Sequence, residues 1–242
     1  MVIGGILFDK DGTLVDYQRT WVPINRDVAR YAAGGDPRLA ADLLRRHGQD
    51  PETDRITAGS VLAAGSVAEI AAAFAAQLGD RAPPDLAAGI ARRFRDGGAR
   101  AVLIDGVAAT LAELKRRGLR LGVASNDTHD GLLASLGAHG LLALCDFVAG
   151  CDAGFGAKPD PRMALAFCRA VGLAPSEIAV VGDAVHDLAM ARAAGARLAV
   201  GVLSGTSARA DLAGLADLIL GSVNELVALP ACAGTGGRRA RA

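Results

Sequence analysis

Residues 2–15 read VIGGILFDKDGTLV, an apolar run over 2–8 that stops on Asp9-Lys10-Asp11-Gly12-Thr13. A short, continuous apolar run bounded by polar residues fits a strand buried on both faces of a parallel sheet. Five more runs repeat the pattern, at 119–124, 147–149, 178–181, 198–202 and, more weakly, 218–220. Helix-like stretches lie between them at 107–117, 130–136, 161–171, 185–194 and 207–215, with Gly118, Gly137, Gly172 and Gly195 placed to end four of them. Alternating strand and helix predicts an α/β fold, a doubly wound Rossmann-like core on a parallel sheet of five or six strands.

Segment 17–97 breaks this alternation. Trp21, Ile24, Val28 and Tyr31 recur at helical spacing, as do Val67, Ile70, Ala71, Phe74 and Leu78, and then Leu86, Ile90 and Phe94. Asp36-Pro37 and Pro84-Asp85 read as helix starts. The expected organisation is a catalytic core over 1–16 and 98–230 with an inserted all-helical cap domain over 17–97. Hinges are expected at 14–18 and 96–98. The Gly-rich stretch 231–242, with Arg238, Arg239 and Arg241, is expected to be a disordered tail.

Of 242 residues, 51% are hydrophobic and 21% charged, which excludes the disordered class. Lys plus Arg and Asp plus Glu both number 26, so no global field draws in a polyanion; a small ligand is expected rather than nucleic acid. The first run lacks the basic flank of a signal peptide, and the apolar stretch 132–150 is broken by Ser135, His139 and Asp146. No membrane partner and a cytoplasmic location are therefore expected. Cys145, Cys151, Cys168 and Cys232 show no metal-ligand spacing and read as reduced packing residues. His47, His129 and His139 show none either, and oligomeric state leaves no trace in the sequence.

Ligands of open parallel sheets bind beyond the carboxyl ends of the strands. The first run ends at Asp9 and Asp11, the second at Ser125-Asn126, the loop after the third carries Lys158-Pro159, and the fourth ends at Gly182-Asp183 with Asp187 four residues on. Asp9 and Asp11, two apart on an extended backbone, aim at one volume. Four carboxylates crowded together cannot all stay ionised without a positive partner. With hard oxygen ligands and no His or Cys among them, that partner fits Mg²⁺. Lys158 adds a fixed charge, and Ser125 with the Asn126 backbone adds donors for phosphoryl oxygens. Each residue also has an ordinary structural reading: Asp183 as a helix cap, Asp187 as a first-turn acid, Lys158 as a solvated loop lysine, Ser125-Asn126 as a cap for the following helix.

VIGGILFDKDGTLVD, GVASND, AKPDP and VVGDAVHDLAMARAAG together resemble the four motifs of the haloacid dehalogenase-like hydrolases, in the helical-cap branch that includes phosphoglycolate phosphatase-like enzymes. The likeness extends over residues 1 to about 228. It implies a Mg²⁺-dependent phosphatase acting on a small phosphorylated metabolite through an aspartyl-phosphate. Asp9 would be the nucleophile and Asp11 the general acid and then base. Asp9, the Asp11 carbonyl, Asp183 and Asp187 would hold the metal. Lys158, Ser125 and Asn126 would bind phosphate, together with Thr13, which would hydrogen-bond around the Asp11 turn. His186, between the two acids of the fourth motif, would point elsewhere.

Two positions depart from the family pattern. Lys10 stands where a hydrophobic residue is more common, and Ala184 follows Asp183 where a hydroxyl residue often stands. Asp11 argues against a dehalogenase, which needs no acid to protonate an alkoxide. The rival readings are a β-phosphoglucomutase-like phosphotransferase and, from another class, a phosphoryl-accepting signalling domain. In the insert, Arg19, Trp21, Arg92, Arg93 and Arg95 are candidate contacts for a leaving group, against a plainer reading as exposed charge and a core Trp.

Overall fold

The computed structural model describes residues 3–232. Chain contacts divide it into two compact units: residues up to Asp16 with those from Leu103 on, and Tyr17–Val102. The first unit is built on six strands: β1 (Gly5–Phe8), β2 (Arg120–Ala124), β3 (Phe147–Ala149), β4 (Ile178–Gly182), β5 (Leu198–Val202) and β6 (Leu218–Leu220). All neighbours are parallel, in the order β3-β2-β1-β4-β5-β6. The strand order reverses beside β1, which pairs with β2 on one edge and β4 on the other. A crevice for a ligand opens at such a point.

Side-chain alternation along each strand feeds two cores. Ile6, Phe8, Leu121, Val123, Val181 and Val200 face one layer, where they meet Val107, Leu111 and Leu114 of α6 (Val107–Arg116) and Leu132 and Leu136 of α7 (His129–Ala138). Leu7, Ala124, Ile178 and Val180 face the other, against Met163 and Phe167 of α8 (Arg162–Val171) and Leu188 and Ala191 of α9 (Val185–Ala194). Burial on both faces is why the runs are continuously apolar. The sheet is thus a doubly wound α/β fold.

Element ends differ from expectation in a few places. The first strand begins at Gly5, although Ile3 is buried beside it. Gly137 does not end α7: the helix runs on to Ala138, and Gly140 takes the positive φ of 70° that closes the turn. The helix expected over 207–215 shrinks to α10 (Arg209–Leu212), where Leu212 is the only buried residue. Ala231 and Cys232 of the expected tail belong to the core unit. Cys232 is buried and Ile3 N–H donates to the Ala231 carbonyl at 3.0 Å. The rest of that stretch, from residue 233 on, lies outside the described residues. All four cysteines are unbridged.

The second unit has its own core. Ile24, Val28 and Ala32 of α1 (Tyr17–Ala32) pack with Leu43 and Leu44 of α2 (Pro37–Arg46), Leu62 of α3 (Val61–Ala64), Ile70 and Phe74 of α4 (Val67–Leu78), and Leu86 and Ile90 of α5 (Leu86–Gly98). Asp36 caps α2 through bonds from Arg38 N and Leu39 N, with Pro37 in the first turn. Asp85 precedes α5 without a capping bond. Both expected hinge stretches carry ordered contacts. Leu14 and Val15 are fully buried. Residues 96–98 form the last turn of α5, where a Cβ on Gly97 would stand 2.5 Å from Ile24 Cδ1. The helical unit continues to Val102, whose N–H donates to Thr20 Oγ1 at 2.9 Å. Among the described residues, no helix is long and apolar enough to cross a membrane.

Candidate active site

β1 and β4 end side by side, so Asp9 and Asp183 emerge as neighbours, and the first turn of α9 returns Asp187 to them. These three carboxylates are buried, and one oxygen of each lies within 4.8 Å of the others. Lys158 Nζ, with a fully buried side chain, donates to Asp9 Oδ1 at 2.5 Å and to Asp187 Oδ1 at 2.7 Å. The loop bearing Lys158 is held by Asn126. Its Oδ1 accepts from Lys158 N at 2.8 Å, and its Nδ2 donates to the Lys158 carbonyl at 3.4 Å. The Lys158–Pro159 peptide is cis.

Asp183 sits in a slot. Gly12 (φ 82°) is on one side, where a Cβ would come 2.7 Å from Asp183 Cγ, and Gly205 is on the other, where a Cβ would come 1.9 Å from Oδ2. No side chain larger than hydrogen fits beside that carboxylate without displacing it. Thr206 N–H donates to Asp183 Oδ2 at 2.9 Å, and Ser204 Oγ donates to the Gly12 carbonyl at 2.7 Å.

Three carboxylates face one ammonium. Burial, with Lys158 opposing and Asp187 and Asp11 adding to it, pushes Asp9 up to about 7. Burial, then Asp9 and Asp187, holds Asp183 well above the usual carboxylate range. Burial works against the charge on Lys158, but Asp187 and Asp9 outweigh it and keep the ammonium above the ordinary lysine range. Three carboxylates against one ammonium leave negative charge for a further cation, and an all-oxygen donor set suits Mg²⁺.

The family model for haloacid dehalogenase-like hydrolases matches residues 3–195. The chain belongs to this family. The hydrolase is 30% identical over 214 residues to phosphoglycolate phosphatase of Escherichia coli, covering 80% of this chain and 79% of the relative. It is 28% identical over 205 residues to N-acetylmuramic acid 6-phosphate phosphatase of Pseudomonas putida, covering 82% of each. A family hydrolase from Deinococcus radiodurans, solved with bound phosphate and sodium, superposes with a TM-score of 0.69 at 25% identity, over 95% of this chain and 96% of that one.

The remaining residues singled out in this hydrolase fall as follows. Ser125 is buried and its Oγ accepts from Asp127 N at 3.1 Å. Neither Ser125 nor Asn126 caps the next helix; Thr128 does, accepting from Gly131 N. Thr13 is fully buried, but its hydroxyl does not bond around the Asp11 turn: Oγ1 has no hydrogen-bond partner among the described residues. That turn is closed by backbone instead, with Leu14 N and Val15 N both donating to the Lys10 carbonyl. Asp183 is not a helix cap. Asp187 Oδ2 accepts from Ala184 N at 3.1 Å, so its two oxygens serve the helix start and Lys158. His186 lies nearer than expected, with Nε2 3.6 Å from Asp187 Oδ1, and burial holds the ring below its usual pKa.

In the helical unit, Arg92 pairs with Asp85 at 2.9 Å, Arg93 with Asp27 at 3.0 Å, and Arg95 lies 4.0 Å from Asp96. Trp21 packs edge-on against Phe94, centroids 5.2 Å apart. These contacts favour the plainer reading for Arg92, Arg93, Arg95 and Trp21, while Arg19 is exposed on α1.

Sequence reasoning missed three participants: Lys10, Asp127 and the Ser204-Gly205-Thr206 loop. That loop follows β5, so inspecting every strand end would have found it. Lys10 is buried despite its charge, its Nζ 2.8 Å from Asp127 Oδ2 and 3.1 Å from Asp11 Oδ2. No sequence signal marks that pairing.

Proposed function

We propose that this hydrolase is a Mg²⁺-dependent phosphatase that cleaves a small-molecule phosphate monoester through an aspartyl-phosphate on Asp9. The observation that carries the reading is the Lys158 ammonium bridging Asp9 and Asp187 within a buried three-carboxylate cluster. Asp9, Asp183 and Asp187, with the Asp11 carbonyl, would hold Mg²⁺. The ion supplies charge neutralisation that lets an anionic nucleophile meet an anionic ester.

The rest falls to the chain. Lys158 fixes Asp9 with one oxygen on the ammonium and the other directed at phosphorus. Ser125, the Asn126 backbone and the unpartnered Thr13 hydroxyl supply donors for the phosphoryl oxygens. Asp9 forms the new P–O bond while the leaving oxygen keeps the electron pair of the broken bond and takes a proton from Asp11. Asp11, now a carboxylate, accepts a proton from water as the water oxygen attacks phosphorus and Asp9 departs with its electron pair. N-acetylmuramic acid 6-phosphate phosphatase and phosphoglycolate phosphatase among the relatives support a phosphorylated sugar acid or phosphoglycolate as candidate substrates. The helical unit would serve as the lid that selects it, in the cytoplasm.

A phosphate-release screen over small phosphate esters, with Mg²⁺ and with a chelator, tests the reading. Release is expected only with the metal, and Asp9→Asn is expected to abolish it. Turnover by Asp9→Asn would refute the nucleophile. Isomer exchange without net phosphate release would move the protein to the phosphotransferases.

A further inference from the structure

Lys10 stands between the proposed nucleophile and the proposed acid, at a position where the family pattern favours a hydrophobic residue. Its side chain is 1% exposed. Enclosing an ammonium costs several kcal/mol unless carboxylates answer it. Two do. Asp127 Oδ2 accepts at 2.8 Å and Asp11 Oδ2 lies at 3.1 Å.

Asp127 is itself braced. Its Oδ1 accepts from Thr128 N at 2.7 Å, its N–H donates to Ser125 Oγ at 3.1 Å, and its carbonyl accepts from Cys151 N at 3.0 Å. Lys10 thus ties the turn after β1 to a fixed point on the loop after β2. The group it steadies is Asp11, whose side chain is 22% exposed and sits on that turn rather than on the strand.

We propose that Lys10 is a positioning residue for Asp11, clamping Oδ2 so that Oδ1 is the oxygen turned to the leaving group for proton transfer. This rests on the acid role given to Asp11 above. The balance is simple: as the P–O bond breaks, the leaving oxygen keeps the electron pair and receives the Oδ1 proton, and Asp11 is left as a carboxylate facing the Lys10 ammonium. Asp127 takes no part in the transfer and serves as the anchor.

The discriminating readout is leaving-group dependence. The ratio kcat/KM extends only to the first irreversible step, departure of the leaving group. A 4-nitrophenolate departs with little help from an acid, whereas an alkoxide needs it. Wild type, Asp11→Asn, Lys10→Met and Asp127→Asn are compared on 4-nitrophenyl phosphate and glycerol 2-phosphate, with thermal melting as the check on folding. Asp127→Asn keeps the shape of the anchor and serves if Lys10→Met is unstable.

Loss of a general acid lowers rates by about 10²–10⁴-fold. Asp11→Asn is expected to show that loss mainly with glycerol 2-phosphate. Lys10→Met and, more weakly, Asp127→Asn should show the same bias, with glycerol 2-phosphate losing at least about tenfold more than 4-nitrophenyl phosphate. Equal losses on the two esters by folded Lys10→Met or Asp127→Asn, beside a biased Asp11→Asn, overturn the positioning role alone. An unbiased Asp11→Asn removes the acid assignment and this inference with it.

Discussion

Around Asp183 the site is shaped by what is missing. Gly205 carries no side chain where a Cβ would stand 1.9 Å from Asp183 Oδ2. Gly205→Ala is therefore expected to push the carboxylate out of place and weaken the proposed Mg²⁺ binding by about 10–100-fold, as loss of a ligand's supporting shell does. Titration calorimetry with Mg²⁺ measures this, and wild-type affinity in the variant would contradict it. Most of this cluster could be read before any coordinates existed, because Asp9 and Asp183 each end an apolar run and a parallel sheet gathers such ends at one edge. Lys10 could not. Strand alternation turns it away from Asp9 and Asp11, and only the backbone turn at 10–15 brings its ammonium back to Asp11 and across 117 positions to Asp127. The empty-handed Thr13 hydroxyl was illegible for a related reason: the backbone closes the turn that its side chain was expected to close.

The six strands were legible because burial on both faces leaves an uninterrupted apolar signature, and the same periodic logic found the long helices. Ends and short pieces were not. α10 retains four residues, with Leu212 alone buried among them, while Leu215 packs against the same layer from beyond the helix end. α3 and the isolated bridge between Gln49 and Ile56 depend on packing inside the helical unit rather than on local pattern. The contact between α8 and the sheet shows the energetic side of this layering. Phe167 is fully buried, and its ring occupies the space left by two strand glycines, Gly5 and Gly122, where a Cβ would meet it at 3.1 and 2.7 Å. Gly5 and Gly122 themselves have no side chain to fill the gap, and Phe167→Ala should cost about 3–5 kcal/mol. Urea unfolding followed by circular dichroism tests it; a loss below about 1 kcal/mol would mean the layer repacks.

At the scale of the whole chain, two compact units, the helical one with a core of its own, predict two separable stabilities. Phe74, fully buried in the helical unit, shares no core with the sheet. Phe74→Ala should raise amide exchange across Tyr17–Val102 and leave the amides of β1 and β4 protected. Hydrogen exchange read by mass spectrometry checks this, and uniform loss of protection would show one cooperative body instead. The sequence announced an insertion through its change of period, but it misplaced the second junction, since Gly97 looked like a flexible joint and is in fact a close helix contact against Ile24. The central position of β1 has a further consequence, for synthesis on the ribosome. Gly5 pairs with Ile178, so the strand that presents Asp9 is made before β4 and waits for it before its second edge is covered. During that interval an apolar strand with an open edge is available to any other extended chain, a state that favours aggregation. Production of the enzyme should therefore be sensitive to chaperone supply and to translation speed between the codons for β2 and β4, even where the finished protein is stable.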